Sequence, residues 1–101
     1  MALLTTVVNI RHTKLYDVYA GRPSPAGNPF RIGPDGTRED VVAKYQKYFD
    51  DRIQHDPTFR AYIHGLAGKV IGCYCKPLPC HCDIIAEYLN KGRLTGGKHV
   101  L

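Results

Sequence analysis

Residues 37–66 carry two helical patterns in succession, and they separate two short segments that read as strands, residues 17–20 (DVYA) and 69–75 (KVIGCYC). Strands joined by a helical stretch this long are expected to be parallel, joined by a right-handed crossover. The 101-residue chain is therefore expected to form a small α/β domain with a short, mostly parallel sheet. That length suits a single domain over residues 1–101 with one core.

The remaining elements follow from local chemistry. Residues 5–10 (TTVVNI) are β-branched and read as a buried strand. Residues 21–36 hold four prolines and four glycines and must be mostly loop. Thr37 is a good helix cap with Asp40 three residues on, and Val41, Val42, Tyr45, Tyr48, Phe49 and Ile53 recur on one helical face. Asp56 and Pro57 restart the chain as cap and first helical residue, with Phe59, Ile63 and Leu66 inward and Gly68 as the stop. In strand 69–75, Ile71, Cys73 and Cys75 face one way, and Val70, Gly72 and Tyr74 the other. A last helix runs over residues 81–89 to a stop at 90–92, and the tail from residue 93 adds a short edge strand or frays. The order is β-β-α-α-β-α, a Rossmann-like arrangement in two or three layers.

Hydrophobic content of 44% and charged content of 23% are ordinary for a globular chain. No apolar run approaches the roughly 20 residues that span a bilayer, so no membrane partner is expected. The opening residues lack a signal-peptide pattern, which makes the cytoplasm the expected compartment. The net charge of +5 is uneven: residues 1–34 sum to +3, residues 35–56 to −2 and residues 57–101 to +4. A basic excess of this kind suits a phosphate-bearing partner, nucleotide or nucleic acid, and a merely solvated basic face accounts for it equally well.

Parallel strands at 17–20 and 69–75 send both following loops to the C-terminal edge of the sheet, where open α/β sheets bind ligands. Those loops are the two oddest stretches, GRPSPAGNPFRIG and CKPLPCHCD. In the first, which Gly21 opens, Arg22 and Arg31 suit phosphate or carboxylate, Ser24 and Asn28 offer small polar groups, and Gly27 lets backbone approach closely. A proline-rich turn with two surface arginines would have the same composition. In the second, all four cysteines fall within ten residues, from Cys73 to Cys82. In a reducing compartment clustered thiols favour metal binding or reactive chemistry over disulfides. Cys73, Cys75, Cys80 and His81 supply zinc-type ligands, although their contiguity departs from the usual separated pairs. Cys80 at a helix N-terminus beside His81 and Asp83 has the local field of a reactive thiol, but neighbouring side chains there are expected to diverge. Plain helix capping by Cys80 and Asp83 is the bland reading.

The runs VYAGRPSPAGNPFRIGPDGTREDVVAKYQKY and GKVIGCYCKPLPCHCDIIAEYL resemble a family of short phage and bacterial proteins known as domain of unknown function 4326. The resemblance marks Gly21, Arg22, Ser24, Gly27, Asn28, Pro29, Phe30, Cys73, Cys75, Pro77, Cys80, His81 and Asp83. Cys82 stands where the family pattern has glycine, which makes it the least expected ligand of the four cysteines. The leading expectation is a domain that binds a nucleotide-like ligand without a cofactor, for sequestration or for chemistry in which His81 or Asp83 acts as acid or base. The alternatives are a zinc-stabilised module for nucleic acid or protein, and a thiol enzyme using Cys80. A homo-oligomer is compatible with the chain's size, and no residue argues for one.

Overall fold

The computed structural model describes residues 4–74, 78 and 80–94. Its elements are β1 (Thr6–Asn9), β2 (Val18–Tyr19), α1 (Arg38–His55), α2 (Pro57–His64), β3 (Val70–Cys73) and α3 (His81–Leu94). The strands form a three-stranded sheet in the order β1-β3-β2. Both pairings are parallel: Thr6 lies opposite Val70 on one side of β3, and Val18 opposite Ile71 on the other. The domain is thus a mixed α/β fold in the expected element order, with β3 as its central strand.

That central position places an unusual demand on the link between β1 and β2. Parallel neighbours normally need a crossover of a dozen or more residues, and here residues 10–17 make the crossing. The link leaves beside Cys73, where the Ile10 amide donates to the Cys73 carbonyl at 2.9 Å. It returns beside Val70, where the Asp17 amide donates to the Val70 carbonyl at 2.8 Å and the Asp17 carboxylate accepts from the Val70 amide at 2.8 Å. In between it presses on the sheet at Gly72: a Cβ there would collide with the Ile10 side chain and lie 3.2 Å from the Tyr16 ring.

The other face of β3 carries Ile71 and Cys73, both buried, and all three helices contribute to the core built on it. Tyr45 and Phe49 of α1, Phe59 and Ile63 of α2, and Ile85 of α3 are its largest fully buried side chains besides Ile71. Phe49 sits at its centre, edge-on to Phe59 at 5.9 Å and to Tyr88 at 5.4 Å. Burial of each such side chain contributes about 1.5–3 kcal/mol. The helix starts follow their caps. Thr37 and Asp40 form a complete capping box, and the Asp56 carboxylate accepts from the Phe59 amide at 3.0 Å.

Several boundaries differ from the sequence expectation. Helix α2 stops at His64, and residues 65–68 continue as turns that still bury Leu66. Gly68, at φ 78°, serves the last of these turns. Helix α3 runs through Asn90, because that side chain is a tether: it accepts from the Thr5 amide at 2.8 Å and donates to the Thr5 carbonyl at 2.9 Å. Strand β1 is half-buried rather than buried, as an edge strand should be. Strand β3 ends at Cys73, and Cys75 and the tail from residue 95 lie outside the described residues. No helix among the described residues is long and apolar enough to cross a membrane.

Gly72→Ala forces the β1–β2 link off the sheet. A loss of about 1–3 kcal/mol is expected from overpacking, read from the urea unfolding midpoint; an unchanged midpoint would show that the link does not press on the strand.

Candidate functional site

The loop that follows β2 is folded by its own turns and then fastened to α1. The Ser24 amide donates to Gly21 and the Gly27 amide to Ser24, at 2.8 and 2.9 Å. These turns bury Ala26, whose carbonyl accepts from the Tyr45 hydroxyl at 2.9 Å. Burial raises the Tyr45 pKa far above its ordinary value, so the phenol stays a donor. Asn28 makes the second fastening. Its side chain donates to the Val41 carbonyl at 3.1 Å and accepts from the Phe30 amide at 2.9 Å. Arg22 closes the loop by donating from Nη1 to the Asn28 carbonyl at 2.9 Å.

At the other side of the site, β3 ends and α3 begins. Cys80 acts as the helix cap: its sulfur accepts from the Cys82 amide at 3.5 Å, and the Asp83 carboxylate accepts from the Cys80 amide at 3.2 Å. His81 then reaches across to β2, with Nε2 2.8 Å from the Ala20 carbonyl. A carbonyl oxygen only accepts, so Nε2 carries the proton and the Nδ1 lone pair is left facing Cys80 Sγ at 3.6 Å. Burial pulls the imidazole pKa below its ordinary value, against the opposing pull of the Ala20 hydrogen bond.

Between these two walls lies a cleft of about 700 Å³ at the C-terminal edge of the sheet. Arg22, Arg31 and Arg38 bring three guanidinium groups to it, Tyr19, Phe30 and Tyr74 bring aromatic rings, and Cys73, Cys80 and His81 also line it. No Asp or Glu is among its described lining residues. The Arg31 side chain makes no hydrogen bond or ion pair among the described residues, while its amide is held by the Asp35 carboxylate at 2.8 Å. Tyr74 is half exposed and stands edge-on to Tyr19 at 5.9 Å, with the Arg11 guanidinium 5.1 Å from its ring centre.

The first loop and the described flanks of the second, Tyr74, Cys80 and His81, do share an edge, yet the expected residues divide. Gly21, Arg22, Asn28 and Arg31 line the cleft; Ser24 and Gly27 do not. Gly27 is required by packing, since a Cβ would meet the Arg22 backbone at 3.0 Å. Ser24 Oγ is buried with no partner among the described residues. Asp83 is occupied at the helix cap rather than lining the cleft. Arg38 was missed, although a cation in the first turn of a helix opposes the helix dipole and was the available signal.

The thiols also regroup. Cys73, Cys80 and Cys82 are buried, with their sulfurs all within 4.8 Å of one another, a set that could hold a metal ion. Cys82, the least expected ligand, is thus in the cluster, whereas Cys75 lies outside the described residues. None of the three is in a disulfide. The expected divergence of Cys80 and His81 does not hold, because Cys80 precedes the helix as its cap.

Comparison with known proteins yields two matches. The model of a family described as a domain of unknown function (DUF4326) matches residues 8–91. An uncharacterized 12.4 kDa protein in the nrdA-td intergenic region of Enterobacteria phage T4 is 38% identical over 89 residues, spanning 87% of this chain and 80% of that protein. No solved structure matches.

The two polar residues of the first loop should respond oppositely to truncation. Asn28→Ala strands the Val41 carbonyl and the Phe30 amide and should cost about 1–3 kcal/mol, whereas Ser24→Ala should be neutral or stabilising. Paired urea titrations read both, and equal losses would contradict these assignments.

Proposed function

The chain belongs to the DUF4326 family, and we propose that it binds a phosphate-bearing, nucleotide-like small molecule in the cleft at the C-terminal edge of its sheet. The observation that carries this reading is the convergence of Arg22, Arg31 and Arg38 on one cleft whose described lining residues include no carboxylate. Guanidinium groups present paired donors that match phosphate oxygens, and the edge is the usual binding edge of a Rossmann-like sheet. A volume of about 700 Å³ is within the range of small-molecule sites. Tyr19, Phe30 and Tyr74 supply flat apolar surface for a base, the part of a nucleotide that phosphate contacts leave unclaimed.

In this reading Arg31 is the principal phosphate ligand, because its side chain has no competing partner among the described residues. Arg22 shares its guanidinium between the loop carbonyls and the ligand. Asn28 holds the wall upright and does not orient the ligand, since its amide is already committed. In this reading the binding takes place in the cytoplasm. Reaction chemistry at His81 has less support than binding, because its Nε2 proton is committed to Ala20.

A second reading, a zinc-stabilised module for nucleic acid or protein, draws on the meeting of three sulfurs. The cleft lining favours the small molecule: it is concave and aromatic, whereas a backbone-tracking surface would spread its cations along an open face.

Isothermal titration with ADP and with adenosine, at low and moderate salt, tests the proposal. ADP should bind saturably and more weakly as salt rises, and adenosine should bind at least tenfold more weakly. Arg31→Ala should weaken ADP about tenfold or more, since a hydrogen bond to a charged group contributes about 1.5–3 kcal/mol. Equal affinity for ADP and adenosine, or an unaffected Arg31→Ala variant, would remove the phosphate assignment.

A further inference from the structure

We infer that Cys73, Cys80 and Cys82 form a zinc site beside the cleft. The inference stands on the sulfurs and is independent of what the cleft binds. Zinc–sulfur bonds of about 2.3 Å at tetrahedral angles place sulfurs about 3.8 Å apart. Here Cys73 and Cys80 stand 3.2 Å apart and all three sulfurs fall within 4.8 Å. Shifts of a few tenths of an ångström up to about one ångström convert the cluster into a coordination triangle.

The Cys82 amide points at the Cys80 sulfur at 3.5 Å, and that sulfur caps the N-terminus of the 14-residue α3, an end that favours the net negative charge of a zinc ion held by three thiolates. Binding the ion releases the thiol protons to solvent. Soft sulfur donors without a carboxylate select zinc over magnesium or calcium.

All three cysteines are buried, and Cys73 and Cys80 belong to the lining of the cleft. His81 stays out of the coordination triangle. Its ring is fixed by the Ala20 carbonyl and packs within 3.6 Å of both Cys80 and Cys82 sulfurs, so it serves as a wall.

The test is the metal content of the full chain purified in reducing buffer without chelator, followed by cobalt titration of the stripped protein. About one zinc per chain is expected, with cobalt giving a sulfur-to-metal charge-transfer band. Cys82→Ser should drop the zinc to below about a tenth of an equivalent. Unchanged zinc in that variant, or a wild-type protein that holds no zinc and gives no cobalt–sulfur band, overturns the assignment. If Cys82→Ser does not fold, the cobalt titration of the wild type still decides, because it needs no variant.

Discussion

Both ladders of the sheet are made by β3, which pairs with β1 on one side and β2 on the other. This double pairing is what the rest of the domain rests on. It puts the end of β2 and the end of β3 side by side, with the Ala20 amide donating to the Gly72 carbonyl at 2.9 Å. The loops that leave those ends can then face each other across one cleft. It also explains why one face of the sheet is a core and the other is a tight crossing: three helices cover Ile71 and Cys73, and the β1–β2 link covers Gly72.

The start of α3 joins capping, sulfur chemistry and loop positioning in four residues. Asp83 makes the return half of a capping box, accepting from the Cys80 amide, while the Cys80 sulfur accepts from the Cys82 amide. A thiol is a weaker acceptor than a hydroxyl, so a cysteine in this role sacrifices helix stability unless its sulfur serves something else. His81 connects the same turn to β2, which couples the position of the cluster to the loop holding Arg22 and Asn28. Substitutions in either wall are therefore expected to be felt in the other, and double-mutant cycles would measure the coupling.

Much of this was legible in the residues. Thr37 and Asp40 announced the first helix, Asp56 and Pro57 the second, and the long helical interval made β2 and β3 parallel. The central place of β3 was not legible, because strands of two and four residues carry little register information and the β1–β2 link is shorter than parallel neighbours usually require. Asn28 in a turn-rich loop has the same composition whether it binds a ligand or fastens a wall, and only its partners decide. Cys82 was discounted because the family pattern has glycine at its position, whereas the turn brings its sulfur to Cys73 and Cys80.

The pairing of Thr6 with Val70 and of Val18 with Ile71 has a temporal side as well. On the ribosome, β1 and β2 are made long before β3, and in the native fold they bond to β3 and not to each other. The helices α1 and α2, whose contacts are local, emerge before β3 and have partners at once. The sheet must wait, so its closure is a late, long-range event with the slow kinetics that such contacts bring. Two short strands with exposed edges are easier to keep waiting than long hydrophobic ones. The brevity of β1 and β2 thus suits a chain whose central strand arrives last.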